Sequence, residues 1–169
     1  LVINPNNPTA HLHSRETLLD LLNIVESYGG LLIVDEAFID TQPENSLSTT
    51  ESESLIILRS IGKFFGLPGI RTGFVIACQH WLDKIESALG PWTLSGPSQW
   101  VATQCLNDKA WQQQAMKSLK DQATEQAAML SNELERFGIE AGNSTDYFIS
   151  FTMTKNIAEQ MKVHFGKQG

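Results

Sequence analysis

The chain has 169 residues, 41% hydrophobic and 18% charged, enough apolar content for one ordinary globular core or one core plus part of another. A formal net charge of −7 weighs against nucleic acid and anionic membrane as partners, since both would repel the chain, but a local cluster of cations could still hold a small anion. The two cysteines, Cys78 and Cys105, lie in unrelated contexts without metal-ligand spacing, and no apolar run approaches the ~18 residues of a membrane span, so a reducing, cytoplasmic setting without disulfides or metal is expected.

The chain opens on a short apolar run, Leu1-Val2-Ile3, closed by the turn-rich Asn4-Pro5-Asn6-Asn7-Pro8-Thr9. It lacks the basic start and cleavage site of a signal peptide and reads as a strand end, so further residues are expected upstream. Ser14 is a suitable N-cap for a helix with Glu16 in its first turn and Leu18, Leu22 and Val25 on one face, stopped by Gly29-Gly30. Leu31-Leu32-Ile33-Val34 then runs into Asp35. Leu55 to Leu58 and Phe74 to Ala77 are two more short, β-branched-rich apolar runs. Runs apolar on both faces predict strands covered on both sides, as in a mostly parallel α/β sheet between helices.

From Gly90 to Ser98 a loop rich in Gly, Pro and Ser marks a change, and two helices are expected after it. The second extends from about Asp108 to Phe137 and stops at Gly138. Leu119, Ala123, Ala127, Leu130, Leu134 and Phe137 form one apolar stripe along it. A helix of ~30 residues spans ~45 Å, long enough to leave one domain and enter another. A strand from Tyr147 to Thr152 follows, with Tyr147, Ile149 and Phe151 on one face, and a helix from about Thr154 runs to Gly169. One strand and two helix segments make an incomplete second core.

Three features at strand ends carry chemistry. Asp35 ends its run, where acids face the crevice at the carboxyl edge of a parallel sheet, although an Asp there also serves as an ordinary turn or helix cap. Lys63, in Ser60-Ile61-Gly62-Lys63, follows the next run, with Arg71 eight residues beyond it. A lone lysine is usually a solvated charge, but Gly62, Phe64 and Phe65 around this one suggest burial, which lowers a lysine pKa and frees its amine for imine chemistry. Asn7 sits in the first turn, where ordinary turn chemistry alone would explain it. Together they fit pyridoxal phosphate (PLP), which needs an amine for a Schiff base, an acid facing its pyridine nitrogen and a cationic, hydroxyl-bearing cradle for its phosphate. Lys63, Asp35, and Ser60 with Arg71 supply these, and Asn7 can donate to the phenolic oxygen.

The three segments Asn4 to Thr9, Val34 to Asp40 and Arg59 to Phe74, in that order and with that lysine-to-arginine spacing, resemble fold-type I PLP enzymes of the class I/II aminotransferase group over the whole chain. The resemblance implies that residues 1–115 are the C-terminal half of the large PLP-binding domain, and that 116–169 are an interdomain helix and the start of a small α+β C-terminal domain. It is stronger to the threonine-phosphate decarboxylases of the cobalamin pathway than to histidinol-phosphate aminotransferases. Phe38 stands where most aminotransferases place a tyrosine that hydrogen-bonds the PLP phenolic oxygen, and Leu89 to Pro97 also looks like that branch. The reaction implied is decarboxylation of L-threonine O-3-phosphate, a small amino-acid phosphate, to aminopropanol phosphate by an intact homodimer. An aminotransferase acting on histidinol phosphate, or the aminotransferase-like sensor half of a transcription regulator, are the other readings.

Ala10 departs from the family, which usually has glycine there, a mild change in a turn. The family's phosphate loop and ring-stacking aromatic lie upstream of these motifs and its carboxylate-gripping arginine downstream, so residues 1–169 alone are expected to be inert. Ser60-x-x-Lys63 with Arg71-Thr72-Gly73 imitates a serine-nucleophile motif but lacks its Ser-Asp-Asn. His11 and His13 offer two imidazoles without a third ligand, and Asn143-Ser144-Thr145 is a glycosylation sequon by pattern only.

Overall fold

The computed structural model describes residues 1–168. Four strands form the main sheet in chain order: β1 (Val2–Ile3), β2 (Leu32–Asp35), β3 (Leu55–Ser60) and β4 (Gly73–Ala77). β1, β2 and β3 are parallel, with Ile3 opposite Asp35 and Asp35 opposite Leu58. β4 returns antiparallel, with Ser60 opposite Gly73. The mostly parallel α/β reading therefore holds, with one strand reversed. The connection from β3 to β4, residues 61–72, contains only a 3-10 turn, Pro68–Ile70, in place of the helix that usually carries a parallel crossover.

Helix α1 (Arg15–Ser27) begins as the sequence predicts, with the Ser14 side chain accepting from the Thr17 amide. It ends where Gly29 adopts φ +66° and the Gly30 amide donates to the Val25 carbonyl at 2.9 Å. Leu18 and Leu22 of α1 pack on Leu32, Val34, Leu55 and Ile57, with Leu47 closing the cluster. Full burial of each such side chain is worth roughly 1.5–3 kcal/mol. Leu55, Ile56 and Ile57 are buried in succession, so β3 is covered on both faces at its start. β4 is not: Phe74 and Ile76 are exposed, and among the described residues β4 has a strand neighbour on one side only. An apolar run by itself does not distinguish edge from centre.

Helix α2 (Gln79–Leu89) was not expected, though Trp81, Leu82 and Ile85 turn to its half-buried side. Helix α3 (Gly96–Asn107) starts earlier than predicted, within the expected loop: Ser95 is the cap, and Pro97 suits a first turn. Helix α4 (Lys109–Leu134) is capped by Asp108, whose Oδ1 accepts from the Trp111 amide at 3.0 Å. A 3-10 turn, Glu135–Phe137, and Gly138 at φ +68° end it. The apolar stripe forms its half-buried side as far as Leu134, but Phe137 leaves it and is exposed.

Strand β5 (Glu140–Ser144) pairs antiparallel with β6 (Ile149–Thr152) in a separate two-stranded sheet. β5 escaped the sequence reading because all five of its residues are exposed and it has no apolar alternation. Helix α5 (Lys155–Gln168) follows, and the expected end at Gly169 lies outside the described residues. No helix among the described residues is long and apolar enough to cross a membrane.

Candidate active site

The parallel register brings the ends of β1, β2 and β3 to one edge, and the reversal of β4 returns the chain to that edge. The Asn4 amide donates to the Asp35 carbonyl at 2.9 Å, extending the β1–β2 ladder. The buried Asn4 side chain also closes the loop behind it: Oδ1 accepts from the His13 amide at 2.8 Å and Nδ2 donates to the His13 carbonyl at 3.2 Å. Asn7 is exposed in this loop. Ala10 is buried with φ +55°, a left-handed conformation that costs an L-residue roughly 1–2 kcal/mol. The expected departure from glycine is thus a backbone constraint and not a mild change.

Asp35 is half-buried, and its Oδ1 accepts from the Ala37 amide at 3.0 Å. It therefore makes the ordinary turn contact while standing at the carboxyl edge. Ser60 ends β3, and its Oγ accepts from the Gly62 amide at 3.1 Å. A Cβ on Gly62 would stand 3.2 Å from Pro68 Cα, so the turn before Lys63 leaves little room for a side chain. Arg71 is exposed at φ +51°, two residues before β4, and its Nη1 donates to the Pro68 carbonyl at 3.3 Å. Non-glycine residues in this region are uncommon and concentrate where function fixes the backbone.

Lys63 is exposed, which corrects the expected burial. The phenylalanines beside it turn away from the amine. Phe64 packs edge-on against Trp111 of α4 at 5.5 Å, and Phe65 stacks on the same indole at 5.4 Å. They anchor the loop and leave Lys63 at the surface, where its Nζ stands 5.2 Å from the centroid of Phe38. Phe38 is held in turn by Phe148 at 4.6 Å and Tyr147 at 5.5 Å, both from the turn before β6. Among the described residues neither Lys63, Asp35 nor Arg71 has an ion-pair partner. An amine, a carboxylate, a guanidinium and a hydroxyl thus gather at one strand edge with their charges uncommitted, and this donor set fits PLP.

One group of residues was missed. Glu36 is completely buried; its carboxylate accepts from the Ser46 hydroxyl at 2.6 Å and the Leu47 amide at 2.8 Å, with Arg59 Nη1 at 3.6 Å. Arg59 Nη2 donates to Asp40 Oδ1 at 2.8 Å. Burial raises the Asp40 pKa above the ordinary carboxylate value, outweighing the opposing pull of Arg59. The Tyr147 hydroxyl is likewise pushed up by burial, then by the charges of Asp40 and Asp146. A charged residue just past each of two apolar runs, Glu36 and Arg59, was the available clue. His11 and His13 meet edge-on at 4.4 Å, and among the described residues no cluster of three or more His, Cys, Asp or Glu could hold a metal.

Residues 1–164 match the family model "Aminotransferase class I and II". The chain is 44% identical over 113 residues to the threonine-phosphate decarboxylase of Pseudomonas aeruginosa, covering 66% of this chain and 34% of that protein. It is 38% identical over 151 residues to the Sinorhizobium threonine-phosphate decarboxylase, covering 88% of this chain and 44% of that one. It thus spans less than half the length of these relatives. The crystal structure of the histidinol-phosphate aminotransferase from Clostridium acetobutylicum superposes with a TM-score of 0.67 at 28% identity, over 76% of this chain and 41% of that one. The chain therefore belongs to the class I and II aminotransferases, a family of PLP-dependent enzymes.

Proposed function

We propose that these residues belong to an enzyme that decarboxylates L-threonine O-3-phosphate to aminopropanol phosphate with PLP. The observation that carries the cofactor site is the gathering of Lys63, Asp35, Ser60 and Arg71 at one edge of the sheet. The choice of reaction is supported by the 44% identity to a threonine-phosphate decarboxylase and by Phe38, whose ring has no hydroxyl to donate.

In this proposal the Lys63 amine holds the cofactor covalently. Asp35, with a negative carboxylate, keeps the pyridine nitrogen protonated. Arg71 and the Ser60 hydroxyl hold the phosphate, which a guanidinium fork suits, and Asn7 donates to the phenolic oxygen. PLP, when bound, supplies an electron sink for whichever substrate α-carbon bond lies perpendicular to its ring. With the cofactor bound, the Lys63 amine would be the group placed to supply a proton to the substrate α-carbon where the carboxylate is lost. The protein selects the bond by how it grips the substrate. The same proposal divides the chain within α4, into a PLP-binding part over 1–115 and a smaller C-terminal part over 116–169, in a homodimer. Support for the division comes from the two separate sheets.

A second reading, transamination of histidinol phosphate, is favoured by the likeness to the Clostridium enzyme. Incubating the natural full-length protein with PLP and O-phosphothreonine separates the two. Release of CO₂ with formation of aminopropanol phosphate is the expected result. Amino transfer from histidinol phosphate to a keto acid, with no CO₂ from O-phosphothreonine, would overturn the decarboxylase assignment.

A further inference from the structure

Behind the proposed cofactor-facing residues lies a set of charges that the reaction does not use directly. Alternation along β2 and β3 turns Asp35 and Ser60 to one face of the sheet and Glu36 and Arg59 to the other. On that rear face Arg59 reaches two carboxylates at once, Glu36 at 3.6 Å and Asp40 at 2.8 Å. One guanidinium therefore grips segment 36–40 at both ends. Phe38, its midpoint, is the ring over which Lys63 stands at 5.2 Å. The Ala37 amide, one step earlier in the segment, is the donor that orients Asp35 at 3.0 Å.

We propose that Arg59 is a positioning residue of the site: by spanning Glu36 and Asp40 it fixes the path of segment 36–40, and with it the seat of Phe38 beneath Lys63 and the aim of the Asp35 carboxylate. This rests on the PLP reading of Lys63 and Asp35 above. A role in stability alone would not require this arrangement. The cost of removing water from buried charges offsets much of their attraction, so apolar residues of similar volume would hold the fold as well. A rigid fork with several donors suits the setting of direction, and a lysine cannot reproduce it.

The test uses the natural full-length protein loaded with PLP, with visible circular dichroism per bound PLP as the readout. That signal reports how rigidly the chromophore is held and is independent of turnover. Glu36→Gln/Arg59→Met removes both charges at similar volume and leaves no unpaired charge at the fully buried position 36, while the half-buried Asp40 keeps its carboxyl. Arg59→Lys keeps the charge but loses the fork. Each variant is expected to melt cooperatively and bind PLP, with visible dichroism per bound PLP reduced about twofold or more, since sites need their groups held to within ~0.5 Å. Dichroism per bound PLP equal to wild type in either folded variant would overturn the proposal. If the double variant does not fold, Arg59→Lys decides alone, by the same criterion. A wild-type protein with no PLP band, or a band that survives Lys63→Ala, would instead overturn the cofactor reading beneath it.

Discussion

Asp40 is the residue where two opposing effects can be weighed. Arg59 lies 2.8 Å from its carboxylate and favours the charged form, while burial disfavours it, and burial wins. A carboxyl whose folded pKa is raised makes the folded protein bind the proton more readily than the unfolded chain. Its contribution to stability is then fully present below the unfolded value of about 3.8 and is lost as pH rises through the higher folded value. Asp40→Asn has no such titration. Urea denaturation at neutral pH and again near pH 4 should show wild type gaining stability relative to Asp40→Asn on acidification. A constant difference would show that burial and Arg59 cancel, and one that moves the other way that Arg59 dominates; either contradicts the raised pKa. At this scale the sequence was legible for placement: Asp35 and Ser60 end their strands, and Arg71 precedes β4, at one edge of the sheet. Lys63 was misjudged in one respect. Aromatic neighbours in sequence suggest cover for it, but Phe64 and Phe65 turn to Trp111, a partner 46 or more positions away that local pattern cannot reveal. Glu36 and Arg59 were missed for a similar reason, because their pairing depends on the β2–β3 register.

Among the elements, the crossing of β3 and β4 is the tightest point behind the site. A Cβ placed on Gly73 would lie 2.8 Å from the Arg59 carbonyl oxygen, a backbone atom that cannot swing aside. Gly73→Ala is therefore expected to destabilise by roughly 1–3 kcal/mol, the usual cost of overpacking, read as a lower midpoint in urea. An unchanged midpoint would mean that the strands separate freely there. The elements legible from sequence were those with an explicit start or stop. Ser14 and Gly29-Gly30 bound α1, and Asp108 and Gly138 bound α4 with its closing turn. β5 has no apolar face and takes its strand form from pairing with β6. β4 was legible as a strand, but an apolar run does not show direction, and it pairs antiparallel with β3. That reversal matters to the site, because it sets Gly73 opposite Ser60 and so returns Arg71, two residues earlier, to the same edge.

In the molecule as a whole, the main sheet and the small β5–β6 sheet meet where Tyr147 and Phe148 pack on Phe38, directly beneath Lys63. The loop at Gly90 and the long helix point in the sequence to two parts, and the structure has two separate sheets. The contact was not legible, since nothing in a linear pattern pairs residue 38 with residues 147 and 148. The proposed chemistry converges on that point. The most direct test is to incubate the natural full-length protein with PLP, reduce it with borohydride so that any lysine-bound cofactor becomes permanently attached, and map the peptides by mass spectrometry. The account predicts a pyridoxyl group on the peptide carrying Lys63, and loss of both that label and the visible PLP band in Lys63→Ala. No label, or a label on a different lysine that persists in Lys63→Ala, would contradict it.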